Sequence, residues 1–213
     1  MKISPKKVLL LSPHTDDIEI WCGWLVSKLL REWSEIYVCV FSDCKESVPS
    51  GFELNTLRNE FYNSMKTMWI KYENIYFLDF KVRYFSDDRQ SILDSIVKIW
   101  KEVNPDLVLC HNTYDVHQDH ETVTKEAIRY FKNTSIFWYE LNWNNIKVEN
   151  QIVIELEKDD IEKKIECLNC YESQKSFRKY FNDELIWAYA KVNWVKIRRD
   201  YAESFQAIRL VFN

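Results

Sequence analysis

The chain has 213 residues, enough for one α/β domain with a full core, and its 46% apolar and 29% charged residues are ordinary for a soluble globular protein. Lysine and arginine number 29 against 33 aspartate and glutamate, a net charge of −4, which excludes the basic excess of a nucleic-acid binder. No apolar run approaches the roughly 20 residues of a transmembrane segment, and with only 2 glycines there is no glycine-rich phosphate loop.

The apolar run 7–12 reads as a first strand. It is too short for a signal peptide and leads straight to Asp16 and Asp17, as expected of a cytoplasmic protein. Trp21, Trp24, Leu25 and Leu29 fall at helical spacing, so 20–33 is a helix. Residues 35–41 form a second strand, and 43–51 a loop. A helix over 53–69 and a strand over 75–80 follow. The helix 88–103 is stopped by Asn104-Pro105, and 106–111 is a fourth strand. The polar stretch 112–120 leads into a helix over 120–132, then a strand at 135–140 and another within 147–156. Helices at 159–175 and 182–198 precede a short tail.

Strands alternating with helices predict an α/β fold with a mostly parallel sheet covered on both faces and a helical C-terminal part. No repeat, linker or low-complexity tract divides the chain, so 1–213 is one domain. The 6 cysteines show no disulfide spacing, and Cys167 and Cys170 lack the second pair that a zinc ribbon needs. Reduced core thiols are expected.

The 4 histidines are 14, 111, 117 and 120. His14 follows the first strand, and the other three end or follow the fourth. If those strands are neighbours, all four face one crevice at the carboxyl edge of the sheet. His14 and Asp17 are three apart at one strand-to-helix turn, and His117 and His120 are three apart at another. They could supply two imidazoles and one carboxylate, leaving an open position on a metal. Asp16 then remains as a general base. Asp16 and Asp17 also suit a helix cap, but the histidines favour the metal. His111 reads as a support for the pocket.

The stretch "PHTDDIEIWCGW", 13–24, resembles the first motif of the PIG-L/LmbE-like zinc-dependent de-N-acetylases, and "HQDH", 117–120, resembles their HPDH motif. "RNE" at 58–60, "CYESQ" at 170–174 and "YAESF" at 201–205 are similar to further signatures in the same order. The resemblance implies a Rossmann-like three-layer fold and metal ligands His14, Asp17 and His120. It implies Asp16 as general base, His117 as oxyanion stabiliser or acid, Asp119 as the residue orienting His117, and Arg58 as a substrate contact. Zinc is the implied cofactor, with ferrous iron as the alternative. The implied partner is an N-acetylated amino sugar or conjugate, and self-association is left open. Thr15 replaces a proline of the motif, Ile18 a glutamate, and Trp21 and Trp24 two glycines. Both tryptophans read as core aromatics. "WYELNW", 138–143, is better placed to meet substrate, and "KIRRD", 196–200, reads as a solvated helix end.

The expected activity is hydrolysis of the N-acetyl group to acetate and a free amine. A facial-triad Fe(II) oxygenase uses the same ligand set but calls for an all-β jelly roll. A non-catalytic sugar-binding relic would not need both Asp16 and His117.

Overall fold

Val8, Leu9, Leu10 and Leu11 are all fully buried, so the strand that carries them has to be covered on both faces. In the computed structural model, which describes residues 4–139 and 144–211, this strand is β1 (Lys7–Ser12). Val8 and Leu10 pack against α1 (Asp17–Arg31) and α2 (Thr56–Thr67), with Ile18, Leu25, Phe61 and Met65 filling that side. Leu9 and Leu11 face the opposite core, built on Ile92, Ile96 and Ile99 of α3 (Arg89–Val103) and Val123 and Ala127 of α4 (Gln118–Tyr130). The period-two alternation of a single strand therefore serves both cores.

The described residues form a seven-stranded sheet in the order β3-β2-β1-β4-β5-β7-β6. Its strands beyond β1 are β2 (Glu35–Val40), β3 (Ile75–Phe77), β4 (Leu107–Cys110), β5 (Ser135–Tyr139), β6 (Ile152–Leu156) and β7 (Tyr201–Arg209). β1 to β5 pair in parallel, whereas β7 runs antiparallel to both β5 and β6. Strand order reverses between β1 and β4, which pair Leu10 with Leu109. That is the crevice at which parallel sheets bind ligands.

Most elements fall where the sequence suggests, with shifted ends. α1 begins at Asp17 rather than at residue 20, because its polar first turn precedes the apolar stripe. The helix expected over 159–175 is two: α5 (Lys158–Leu168) and the short α6 (Glu172–Lys175), with a turn between them that buries Tyr171. The final helix is α7 (Asp183–Trp194). The expected tail is mostly β7, a strand inserted between two others; its last two residues, 212–213, lie outside the described residues.

Trp21, Trp24 and the one glycine near them, Gly23, find their reasons in α5. A Cβ on Gly23 would lie 3.2 Å from Lys164 Cγ, so the lysine stem needs the glycine for its close approach. The buried Lys164 ammonium donates to the Ile20 carbonyl at 2.7 Å and sits 3.9 Å from the Trp24 ring centre. From β7, Glu203 accepts the Leu25 N–H at 2.8 Å. Two charged side chains thus brace α1 directly behind the turn that carries Asp16 and Asp17.

Candidate metal centre

After Ser12 the chain must turn sharply from β1 into α1. The Ser12 hydroxyl donates to the His14 carbonyl at 2.6 Å, and the His14 N–H donates to Asp17 Oδ2 at 2.7 Å. The Tyr171 hydroxyl reaches in from the α5–α6 turn and donates to the Thr15 carbonyl at 2.5 Å. On the neighbouring β4, the chain leaves Cys110 through a loop whose Asp115 Oδ1 accepts the His117 N–H at 2.8 Å. Adjacent strand ends thereby hold two histidine-bearing turns face to face.

His14 Nδ1 lies 3.1 Å from His120 Nε2 and 3.5 Å from Asp17 Oδ2, while His120 Nε2 lies 3.6 Å from Asp17 Oδ1. Ligands at zinc-type distances of about 2.0–2.1 Å in a tetrahedron are separated by about 3.4 Å. The outer ring nitrogens are committed elsewhere. His14 Nε2 is 3.1 Å from Asp119 Oδ2, and His120 Nδ1 is 2.8 Å from Asp115 Oδ2. Each carboxylate claims the N–H of its imidazole, so the two facing nitrogens present lone pairs to each other and to the Asp17 carboxylate. Donors at these separations could hold a metal ion, but the sets whose single donor atoms converge are His14 with His117 and His120, and Asp17 with His111 and His120, not His14, Asp17 and His120 together.

The electrostatics agree with that assignment at Asp17 and His120 and oppose it at His14. Burial works against charge on Asp17, yet His120, His111 and His14 hold its carboxyl well below the usual range. Burial, helped by His111, pushes His120 down to about 3, so it stays neutral and able to donate a lone pair. At His14 burial opposes protonation, but the Asp119 hydrogen bond and the Asp17 charge outweigh it and raise the imidazole above its ordinary value.

Asp16 occupies the N-cap position of α1, but its side chain makes no capping hydrogen bond. Its carboxylate lines a crevice of about 290 Å³ together with His14, Asp17, Trp21, His117 and Arg178. Burial, then the neighbouring Asp17 charge, raises Asp16 to about 6. His117 caps α4 with its own ring, Nδ1 accepting the Asp119 N–H at 3.2 Å. Burial and the adjacent His14 hold His117 below its ordinary value. A neutral His117 whose Nδ1 accepts must carry its proton on Nε2, the remaining ring nitrogen.

Three expectations change. The Asp119 carboxylate orients His14, not His117, and it also accepts the Arg83 N–H at 2.7 Å; only its backbone faces His117. Arg58 is not among the crevice residues: it is exposed and lies over the Phe77 ring at 4.5 Å, while Arg83 and Arg178 line the crevice instead. Its neighbour Glu60 accepts both the N–H and the hydroxyl of Ser173, which ties "RNE" to "CYESQ". In "WYELNW", Trp138 and Tyr139 are core residues, and 140–143 lie outside the described residues. Trp21 belongs both to the core and to the crevice wall, and its Nε1 donates to Asp17 Oδ1 at 3.1 Å.

Asp115 was not singled out from the sequence. Its place five residues before His120, in the loop that opens α4, was the available signal. His111 is buried, stacks on His120 with ring centres 3.7 Å apart, and has Nε2 at 3.5 Å from Asp17 Oδ1. It groups with Asp17 and His120, whereas His14 groups with His117 and His120.

The profile of the GlcNAc-PI de-N-acetylase family, PIG-L, matches residues 9–131, more than half of the chain and both histidine-bearing turns. The chain belongs to the PIG-L family. No curated protein matches it. Among solved structures, N,N′-diacetylchitobiose deacetylase from Pyrococcus horikoshii superposes with a TM-score of 0.80 at 20% identity, covering 96% of this chain and 84% of that one. The zinc-inhibited form of teicoplanin deacetylase Orf2 gives a TM-score of 0.77 at 15% identity, covering 94% and 97%. The 4-carboxy-2-hydroxymuconate hydratase GalB from Pseudomonas putida KT2440 gives 0.73 at 15%, covering 98% and 99%. At such identities these likenesses establish the PIG-L fold alone. Since one of the three is named a hydratase, the chemistry has to be argued from the site.

Proposed function

We propose that this PIG-L family member is a divalent-metal-dependent amidohydrolase that removes the N-acetyl group of an amino sugar or sugar conjugate, releasing acetate and a free amine. The observation that carries the reading is that His14 Nδ1 and His120 Nε2 face each other 3.1 Å apart beside Asp17, with Asp16, whose side chain makes no capping bond, on the same crevice wall. His14, Asp17 and His120 would hold the ion. When bound, it supplies Lewis acidity, which polarises the amide carbonyl and eases deprotonation of water. Zinc and ferrous iron both suit this nitrogen and oxygen donor set.

Asp16 takes a proton from the attacking water as the oxygen adds to the carbonyl carbon. His117, neutral and protonated on Nε2, donates a hydrogen bond to the developing oxyanion. The proton held by Asp16 passes to the amide nitrogen, the C–N bond breaks, and acetate and amine leave. Asp119 and Asp115 fix the tautomers of His14 and His120. Trp21, Arg83, Arg178 and Tyr180 on the crevice wall are the groups available to the rest of the substrate. The mostly parallel sheet is not the jelly roll that an oxygenase reading requires.

The six free cysteines support a reducing, cytoplasmic setting. No helix among the described residues is long and apolar enough to cross a membrane.

The test is amine release from a panel of N-acetylated sugars by protein stripped of metal and then reloaded with zinc or ferrous iron. Activity that follows the metal and disappears, together with bound metal, in His14→Ala is expected. Equal amine release by stripped and loaded protein would defeat the proposal.

A further inference from the structure

β4 ends at Cys110, and the next residue, His111, is the one histidine of the four that the proposed mechanism does not use. Its carbonyl accepts the Thr124 hydroxyl at 2.9 Å, which ties the strand end to α4. The residue is 1% exposed, and among the described residues neither ring nitrogen has a hydrogen-bond partner. A buried polar atom left without a partner is costly, and a native fold keeps one for a reason. The walls around the ring offer no partner. Trp21 and Tyr139 stand edge to face with it, their ring centres 5.7 and 4.8 Å away. The Trp21 indole donates to Asp17 Oδ1 at 3.1 Å and the Tyr139 hydroxyl to the Leu11 carbonyl at 2.8 Å.

One atom does face the ring. His111 Nε2 lies 3.5 Å from Asp17 Oδ1. That is beyond the roughly 2.7–3.2 Å of an N–H···O hydrogen bond. It is close to the separation of about 3.4 Å between two ligands of one tetrahedral ion. His120 Nε2 stands 3.6 Å from the same oxygen, with its ring stacked on His111 at 3.7 Å. The other His120 nitrogen is taken by Asp115 at 2.8 Å, so Nε2 is the one left to donate. One carboxylate oxygen and two imidazoles therefore converge, and all three residues are buried. His14 meets Asp17 through the other oxygen, Oδ2.

We propose that His111 is a metal ligand, joining Asp17 and His120 in holding the ion. The inference rests on the metal-dependent reading of the site. Asp17 lines the crevice but His111 does not, so His111 approaches from the core side and takes no space from water or substrate. A residue that merely filled the core behind His120 would need only an aromatic ring. Phenylalanine supplies that with no buried nitrogens to satisfy.

The test is made on the full chain, stripped of metal and loaded with NMR-active cadmium, with its histidines labelled with NMR-active nitrogen. Spin coupling across a cadmium–nitrogen bond identifies each ligating ring. Coupling to ring nitrogens of both His111 and His120 is expected. His111→Phe keeps the stacked ring and removes both donors. Its zinc affinity, measured against a chromophoric chelator, should fall by more than the roughly 10- to 100-fold that follows removal of a group behind a ligand, with circular dichroism unchanged. The coupling is read in the wild-type protein, with His111 assigned through its own backbone, so a poorly folded variant leaves the test decisive. Cadmium coupled to His14 and His120 but not to His111 overturns this inference and leaves the proposed function standing. Zinc affinity within threefold of wild type in folded His111→Phe also overturns it. A wild-type chain that takes up neither cadmium nor zinc defeats the metal-dependent function, and this inference with it.

Discussion

Asp115 offers the sharpest test of how the proposed metal centre is held. Both of its oxygens are occupied as acceptors: Oδ1 by the His117 N–H at 2.8 Å and the Asn144 side chain at 3.3 Å, Oδ2 by His120 Nδ1 at 2.8 Å. Asp115→Asn preserves the shape but has one acceptor oxygen and one donor nitrogen. Whichever way the amide turns, a buried donor, either the His117 N–H or the His120 Nδ1–H, is left facing another donor. An orphaned buried donor costs about 1–3 kcal/mol, and Asp115→Ala orphans both. Loss of the carboxylate behind His120 frees that ring to change tautomer or rotate. Removing such a partner typically weakens metal binding by about 10- to 100-fold. At a free metal concentration well above both dissociation constants, that removes about 1.4–2.8 kcal/mol of metal-dependent stabilisation, or roughly 3–10 °C in melting temperature for a chain of this size. A competition titration against a chromophoric chelator measures the affinity, and melts with and without metal separate the two losses. The expected result is a lower melting temperature for the metal-free variants and a smaller gain when metal is added. Metal affinity within threefold of wild type in both Asp115→Asn and Asp115→Ala would refute the tautomer-holding role.

Asp16→Asn should keep full metal content and lose about 100- to 10,000-fold in kcat; an unaltered kcat in fully loaded protein would make Asp16 a structural residue only. Arg58→Ala should leave kcat/KM within about threefold of wild type, because Arg58 lies over Phe77 and not in the crevice; a large rise in KM would return it to the substrate. Burial raises Glu19 to about 8, although its bonds with Ser64 and Tyr171 favour the charged form. A carboxyl raised on folding binds more protons folded than unfolded, so its contribution to stability falls as pH rises from about 4.5 to about 8. Chemical denaturation of the metal-free protein at pH 5 and pH 8 should show that decline in wild type and a shallower one in Glu19→Gln; parallel declines would remove Glu19 as the cause.

Several elements were legible because a single strand or helix carries its own pattern. The apolar run of β1 needs cover on two faces whatever surrounds it, and the alternation of such runs with helical stripes defines a parallel α/β sheet. β7 was hidden for the opposite reason. Glu203, Ser204 and Gln206 are buried in it but are polar, and each is satisfied by a partner distant in sequence: Leu25, Asn193 and Asn112, respectively. No local pattern announces a strand whose hydrogen-bond partners lie in other elements.

The candidate site divides along the same line. The types of its residues and their three-residue spacings are local, so His14, Asp17, His117 and His120 could be picked out with no knowledge of the fold. Which carboxylate stands behind which imidazole is a matter of contacts across about a hundred residues, as between Asp119 and His14, and only the pairing of β1 with β4 decides it. Arg58 illustrates the same point. Its motif neighbour Glu60 is held by Ser173, while the rings of Tyr62 and Phe77 draw the guanidinium away from the crevice. Residue chemistry is carried by the chain itself, but the direction in which a side chain points depends on the packing around it.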